Sequence, residues 1–278
     1  MPFVPTSEGL DFHCFADNFA RPWESRTPVL MMHAYARNGL FWDPWVPLIA
    51  NRRAVYRPEI PGCGPRSTVP PTDYVFDADR LLDSMIAVLD HFSLKRVHWI
   101  GDASGGMLGV LMALRHPHRL ASLVMINSSA KIPEAKVSGA YTLGEADTLA
   151  AIRKFGVPRW IADTMGGRVD MTVAPPALVR WLTEEMSKTP AHVAAGLFAC
   201  FSSLDLHDEL PNVKTPTLLM TGADSPVAAH HRDLAALMPN ARANRIAGCG
   251  HGANHIFPEA CAAATLRFWD DVCGGGYE

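Results

Sequence analysis

Five short apolar runs punctuate the chain: TPVLMMHAY from 27, RAVYRPEI from 53, RVHWIGDA from 96, ASLVMINSS from 121 and TPTLLMTGAD from 215. None shows the alternation of a half-exposed strand. Strands without a polar face are covered on both sides, as in a parallel sheet sandwiched by helices. The text between them supplies those helices. Residues 76–92 (FDADRLLDSMIAVLDHF) repeat apolar side chains at helical spacing, and MLGVLMALRHP does the same before ending at a proline. The pattern predicts an α/β domain built on a mostly parallel central sheet flanked by helices.

From about 131 to 199 the strand signal disappears, leaving helical pieces broken by GVP, MGG and APP. Phe155, Trp160, Ile161, Met165, Trp181, Leu182 and Met186 make this stretch apolar. An insertion of that size between two core strands is expected to form a helical cap over the carboxyl ends of the sheet, where open α/β folds bind ligands. The expected organisation is a core of 1–130 and 200–278 with a cap of 131–199.

Composition narrows the partner. With 278 residues and 48% hydrophobic content the chain can bury a large core unaided. Its formal net charge of −3, without a dense Lys/Arg block, removes the attraction that drives nucleic-acid binding. No apolar run reaches the roughly 20 residues needed to span a bilayer, and the start, MPFVPTSEGLDFHCF, lacks a basic flank before an apolar core, so a cytoplasmic location is expected. Cys14, Cys63, Cys200, Cys249, Cys261 and Cys273 are scattered without CxxC pairs and read as reduced structural thiols. A small neutral or weakly polar molecule is the expected partner, bound by a monomer or homodimer without metal or cofactor.

Chemistry concentrates in HWIGDASGGM, residues 98–107, a strand entering a glycine-bracketed turn and then a helix. A nucleophile at such a corner needs small residues two places before and two places after it, so that the backbone can pass. With Ala103 at the tip the flanks are Gly101 and Gly105. With Ser104 at the tip they are Asp102 and Gly106, and a carboxylate enters the crowded corner. The register therefore places Ala103 at the tip.

Five motifs in order now carry a resemblance: MMHAYARNG at 31–39, PGCGPRS at 61–67, IGDASGG at 100–106, TGADSP at 221–226 and AGCGH at 247–251. Together they resemble the α/β-hydrolase family, in its serine-type esterase and lactonase branch, over nearly the whole chain. The sequence departs from the family pattern in three places: Ala34 replaces a common glycine, the PGCGPRS loop has one extra residue, and the elbow tip is alanine. The resemblance implies a mechanism in which a histidine takes the serine proton, an acid orients that histidine, and two backbone N–H groups stabilise the oxyanion. It assigns the base to His251, the acid to Asp224 and the oxyanion donors to the backbone N–H groups of Tyr35 and Ser104. Asp224 stands two residues after Gly222, where the family more often has its acid three after, at Ser225 here. Asp205 is the alternative, His33 a loop brace, and His255 a structural or substrate-side residue.

Ala103 admits three readings. It can replace a serine, leaving an inactive variant that holds intact substrate; the chain can be a non-hydrolytic, ligand-binding member of the fold; or it can be a cofactor-free oxygenase or lyase in which the histidine works without covalent attack. The intact glycine bracket and AGCGH loop favour the first. The expected substrate is a carboxylic ester or lactone with a bulky hydrophobic, aromatic group, with carbon–carbon bond hydrolysis an alternative. Trp160, Met165 and Trp181 are expected to contact it, because the cap is apolar and no Arg cluster awaits a polyanion.

Overall fold

A computed structural model describes residues 3–272 apart from 7, 8, 22, 25, 133 and 135–138; Cys273 lies outside the described residues. Its sheet has eight strands: β1 Phe3–Val4, β2 Phe12–Asp17, β3 Val29–Met32, β4 Val55–Glu59, β5 Val97–Asp102, β6 Leu120–Ile126, β7 Thr217–Gly222 and β8 Ala241–Ile246, in the order β1-β2-β4-β3-β5-β6-β7-β8. The pairs from β4 to β8 are parallel, while β1 and β2 join antiparallel at one edge.

The helices of ten residues or more are α1 Ala78–His91, α2 Ser104–Arg115, α3 Thr148–Thr164, α4 Pro176–Ser187, α5 Ala191–Ser202, α6 Ala228–Leu237 and α7 Pro258–Val272. Successive strand residues point to opposite faces. Leu30, Met32, Trp99, Leu123 and Met125 therefore join the core beneath α1 and α2. Their neighbours Val29, Met31, Ile100, Val124 and Ile126 join Trp42, Trp45 and Trp269 on the other side. Both faces are covered, which is why these strands show no polar alternation.

Between β6 and β7 the chain builds an apolar cluster of its own, centred on Ile152, Trp160, Ile161, Met165, Leu182 and Met186. The expected cap boundary at 199 falls inside α5, whose Ala194 joins the cap cluster while Val193, Leu197 and Phe201 join the main core. One helix thus joins the two clusters. No helix among the described residues is long and apolar enough to cross a membrane.

Candidate active site

β5 ends at Asp102 and α2 begins at Ser104, so the chain reverses at Ala103, held at φ 47° and ψ −112°. Such a corner closes only if nothing projects into it. A Cβ on Gly101 would stand 2.3 Å from the Gly105 carbonyl carbon, and one on Gly105 would stand 2.4 Å from the Met32 carbonyl oxygen. The turn is tied on both sides. The Ala103 N–H donates to the Ile126 carbonyl at 2.8 Å, and the Ala103 carbonyl accepts from the Ser128 hydroxyl at 2.6 Å.

Two small cavities meet at Ala103. One is walled by Ala34, Tyr35, Arg37, Ala103, Tyr141, Gly167, Arg168, Met186 and His251. The other has walls from Tyr35, Ala103, Ser104, Met107, Asn127, Ser129 and Ile132. Each encloses about 30 Å³, room for no more than a water or two.

The fold therefore brings Tyr35, the Ala103–Ser104 corner and His251 together from three separate segments. The Tyr35 N–H donates to the Ser104 hydroxyl at 2.9 Å, so that hydroxyl must turn aside before a substrate carbonyl can use the same donor. The Ser104 N–H lies in the first turn of α2, where backbone donors lack helical partners.

His251 stands in a loop held from two directions. Gly222 packs so closely beneath it that a Cβ would come 1.9 Å from the Gly250 carbonyl oxygen. From the cap, the Asp170 N–H donates to the His251 carbonyl at 2.8 Å and the Asp170 carboxylate accepts the Gly250 N–H at 2.8 Å. The Thr172 hydroxyl and N–H, with the Gly250 N–H, hold the Asp170 carboxyl below its ordinary range. Asp224 sits in the adjoining turn, its N–H donating to the Cys249 carbonyl at 3.1 Å and its side chain exposed. Asp205 lies at the surface, where its carboxylate accepts from Lys131 at 2.8 Å.

Sequence spacing concealed a buried charged group behind the elbow. Asp102 and Arg37 form an ion pair, 2% and 7% exposed respectively. His255 Nε2 lies 3.7 Å from the same Asp102 oxygen, and burial, helped by the Arg37 charge, holds its pKa well below 6.5. Arg37 itself is pushed down to about 10, by burial first and then by the charge of Arg168. Arg37, Asp102 and Arg168 were legible only as letters in MMHAYARNG, IGDASGG and the stretch 131–199, because what links them is contact through space.

The three expected substrate contacts stand behind the cavity walls. Trp160 is fully buried, its indole N–H donating to the Tyr141 carbonyl at 2.9 Å. Met165 belongs to the same cluster, and Trp181 packs on Phe41 with ring centroids 4.9 Å apart. His33 braces its loop: Nε2 accepts the Ile60 N–H at 3.1 Å, which leaves Nδ1–H to donate to the Ala34 carbonyl at 2.8 Å. Burial lowers its pKa to about 4, in keeping with a neutral ring.

Comparison with known proteins agrees with this architecture. The family description "alpha/beta hydrolase fold" matches residues 27–153. A protein of Caulobacter sp. (strain K31), provisionally named carbamate hydrolase RutD, is 26% identical over 263 residues, spanning 89% of this chain and 92% of its own length. The 3-oxoadipate enol-lactonase 2 of Acinetobacter baylyi is 26% identical over 230 residues, 82% of each chain. Among solved structures, a hydrolase from Pseudomonas aeruginosa PA01 superposes with a TM-score of 0.82 at 27% identity, covering 96% of this chain and 97% of its own.

Proposed function

We propose that this chain, whose residues 27–153 match the alpha/beta hydrolase fold description, has a site built for a carboxylic ester or lactone, and that Ala103 occupies the position of the serine that would attack it. One observation carries this reading: the tip of the elbow keeps a conformation that a nucleophile needs, with His251 on the wall of the same cavity. Tyr35, Met107, Ile132, Tyr141 and Met186 make much of the cavity wall apolar, which supports a bulky hydrophobic, aromatic group on the substrate. Trp160, Met165 and Trp181 would shape that wall from behind.

In the serine form, the hydroxyl at position 103 would pass its proton to His251 and attack the carbonyl carbon, while the Tyr35 and Ser104 N–H groups take the oxyanion. Asp224 would orient the histidine. With the methyl of Ala103 in place, the same pocket holds the substrate and forms no acyl-enzyme. The substitution Ala103→Ser is the direct test. It should raise turnover of short p-nitrophenyl esters or aryl lactones by roughly 10³-fold or more, the scale on which triad members contribute. If the serine form is as inert as the alanine form across both panels, the reading fails.

The space beside the Ala103 methyl supports a second reading. A water held there could lose its proton to His251 and attack the carbonyl directly, so that the chain as it stands hydrolyses without a covalent intermediate. Turnover by the unaltered chain that vanishes in His251→Ala, with no acyl adduct in the mass spectrum, would favour it.

A further inference from the structure

Arg168 lines the cavity with Ala103 and His251, is only 6% exposed, and has a guanidinium nitrogen, Nη2, with no hydrogen-bond partner. Its guanidinium carbon lies 4.6 Å from the centre of the Tyr141 ring and 4.4 Å from that of Trp160. Those rings are themselves fixed. The Trp160 N–H donates to the Tyr141 carbonyl, and the Tyr141 hydroxyl donates to the Gly167 carbonyl at 2.8 Å. Two aromatic faces thus hold a cation in place ahead of any ligand.

The charges around the cavity do not balance. Arg37 and Arg168 both reach its wall, and Asp102 pairs with Arg37. Among the described residues no carboxylate pairs with Arg168. A buried cation without an anion is costly, and π-faces offset only part of that cost. A ligand with a negative charge would offset the rest. The planar fork of a guanidinium matches a carboxylate, which it binds through paired hydrogen bonds.

We infer that the ester or lactone taken by this site carries a carboxylate close to its scissile carbonyl, and that Arg168 receives it. This rests on the reading of the Ala103 cavity as the acyl site, and it changes the expected substrate from a purely apolar molecule to one with an anionic end. It also gives Trp160 a task that composition could not suggest, as the platform beneath Arg168.

Binding to the unaltered chain tests this without turnover. Monomethyl malonate, succinate and glutarate are titrated beside their dimethyl esters by calorimetry or by chemical-shift perturbation. At least one monoester should bind ten-fold or more tightly than its neutral diester, and Arg168→Met should remove that preference while leaving diester binding within about three-fold. Arg168→Lys, which keeps the charge and loses the fork, should retain part of it and serves if the methionine form does not fold. Equal binding of mono- and diesters, an equal loss of both in either variant, or no binding of any monoester overturns the inference.

The two readings fail separately. Suppose Ala103→Ser is inert while monoester binding still depends on Arg168; the hydrolase reading then falls and an anion site remains. If instead the serine form hydrolyses both ester classes, and Arg168→Met leaves their ratio unchanged, only the carboxylate inference falls.

Discussion

Replacing Asp102 by asparagine keeps its shape and removes its charge from a place where two guanidiniums come close. Asp102 and Arg37 are 2% and 7% exposed, so little solvent screens the pair. Two unit charges about 3 Å apart attract by roughly 5 kcal/mol at an effective dielectric near 20. Breaking a buried pair by removing one member typically costs about 3–5 kcal/mol, since the survivor stays desolvated. Here that survivor is Arg37, already pushed down by burial and by Arg168. We therefore expect Asp102→Asn to destabilise the fold by about 3–5 kcal/mol, which at about 2–4 °C per kcal/mol lowers the melting temperature by roughly 6–20 °C.

Urea unfolding followed by tryptophan fluorescence reads the cost directly, and a double-mutant cycle identifies its source. If the loss comes from an orphaned guanidinium, Arg37→Met in the Asp102→Asn background should recover about 2 kcal/mol or more relative to the sum of the two single changes. A cost under 1 kcal/mol for Asp102→Asn, or simple additivity in the double variant, refutes the reasoning. It would mean that water or local rearrangement already shields the pair.

Two further outcomes follow from the site's surroundings. Burial lowers the His231 pKa to about 4 while its ring N–H donates to the Ser128 carbonyl at 2.7 Å; between pH 6.5 and 4 the unfolded chain binds a proton that the folded one does not, so stability falls with pH by up to about 1.4 kcal/mol per unit from this group. His231→Gln, which retains an N–H for Ser128, should flatten the stability–pH slope by about that amount, and identical slopes would rule the idea out. In the Ala103→Ser background, Asp224→Asn should lower kcat by about 10⁴-fold if its carboxylate orients His251, whereas Asp170→Ala, which loses the brace on Gly250 and the contacts with Thr172, should cost less than ten-fold; the reverse order would assign the acid to Asp170.

What could be read from the sequence depended on whether a constraint was local. The five central strands announced themselves because each is covered on both faces. β2 (FHCFAD) did not, since His13, Cys14 and Asp17 interrupt its apolar residues and it pairs antiparallel with β4 at the edge region. β8 (ARANRI) hides for the opposite reason: as an exposed edge strand it buries only Ile246 fully. In the site, the elbow and the histidine loop were legible because a close backbone approach demands glycine at fixed offsets. The Arg37–Asp102 pair and the Arg168–Trp160 contact leave no such mark, because their partners meet through tertiary packing. Composition alone likewise cannot separate a tryptophan that lines a pocket from one that supports its lining, as Trp160 does.

The alanine at the tip carries an argument of its own. At φ 47° and ψ −112° a residue with a Cβ occupies sparsely populated backbone space, at a cost of about 1–3 kcal/mol. The surroundings impose this conformation through backbone contacts: the Ala103 carbonyl accepts from the Gly106 N–H at 2.9 Å as well as from Ser128. Glycine would adopt the conformation without strain, at about 0.5–1 kcal/mol of extra chain entropy lost on folding. Ala103→Gly should therefore leave stability unchanged or raise it by up to about 2 kcal/mol, measured by urea unfolding. A loss of more than 1 kcal/mol would show that the methyl group packs well enough to outweigh the strain, and that the position serves the core. With the expected result, the fold itself would be served as well or better by glycine, so the strained side-chain position answers to chemistry at the elbow, as it would if alanine stands where a serine is delivered to a substrate carbonyl.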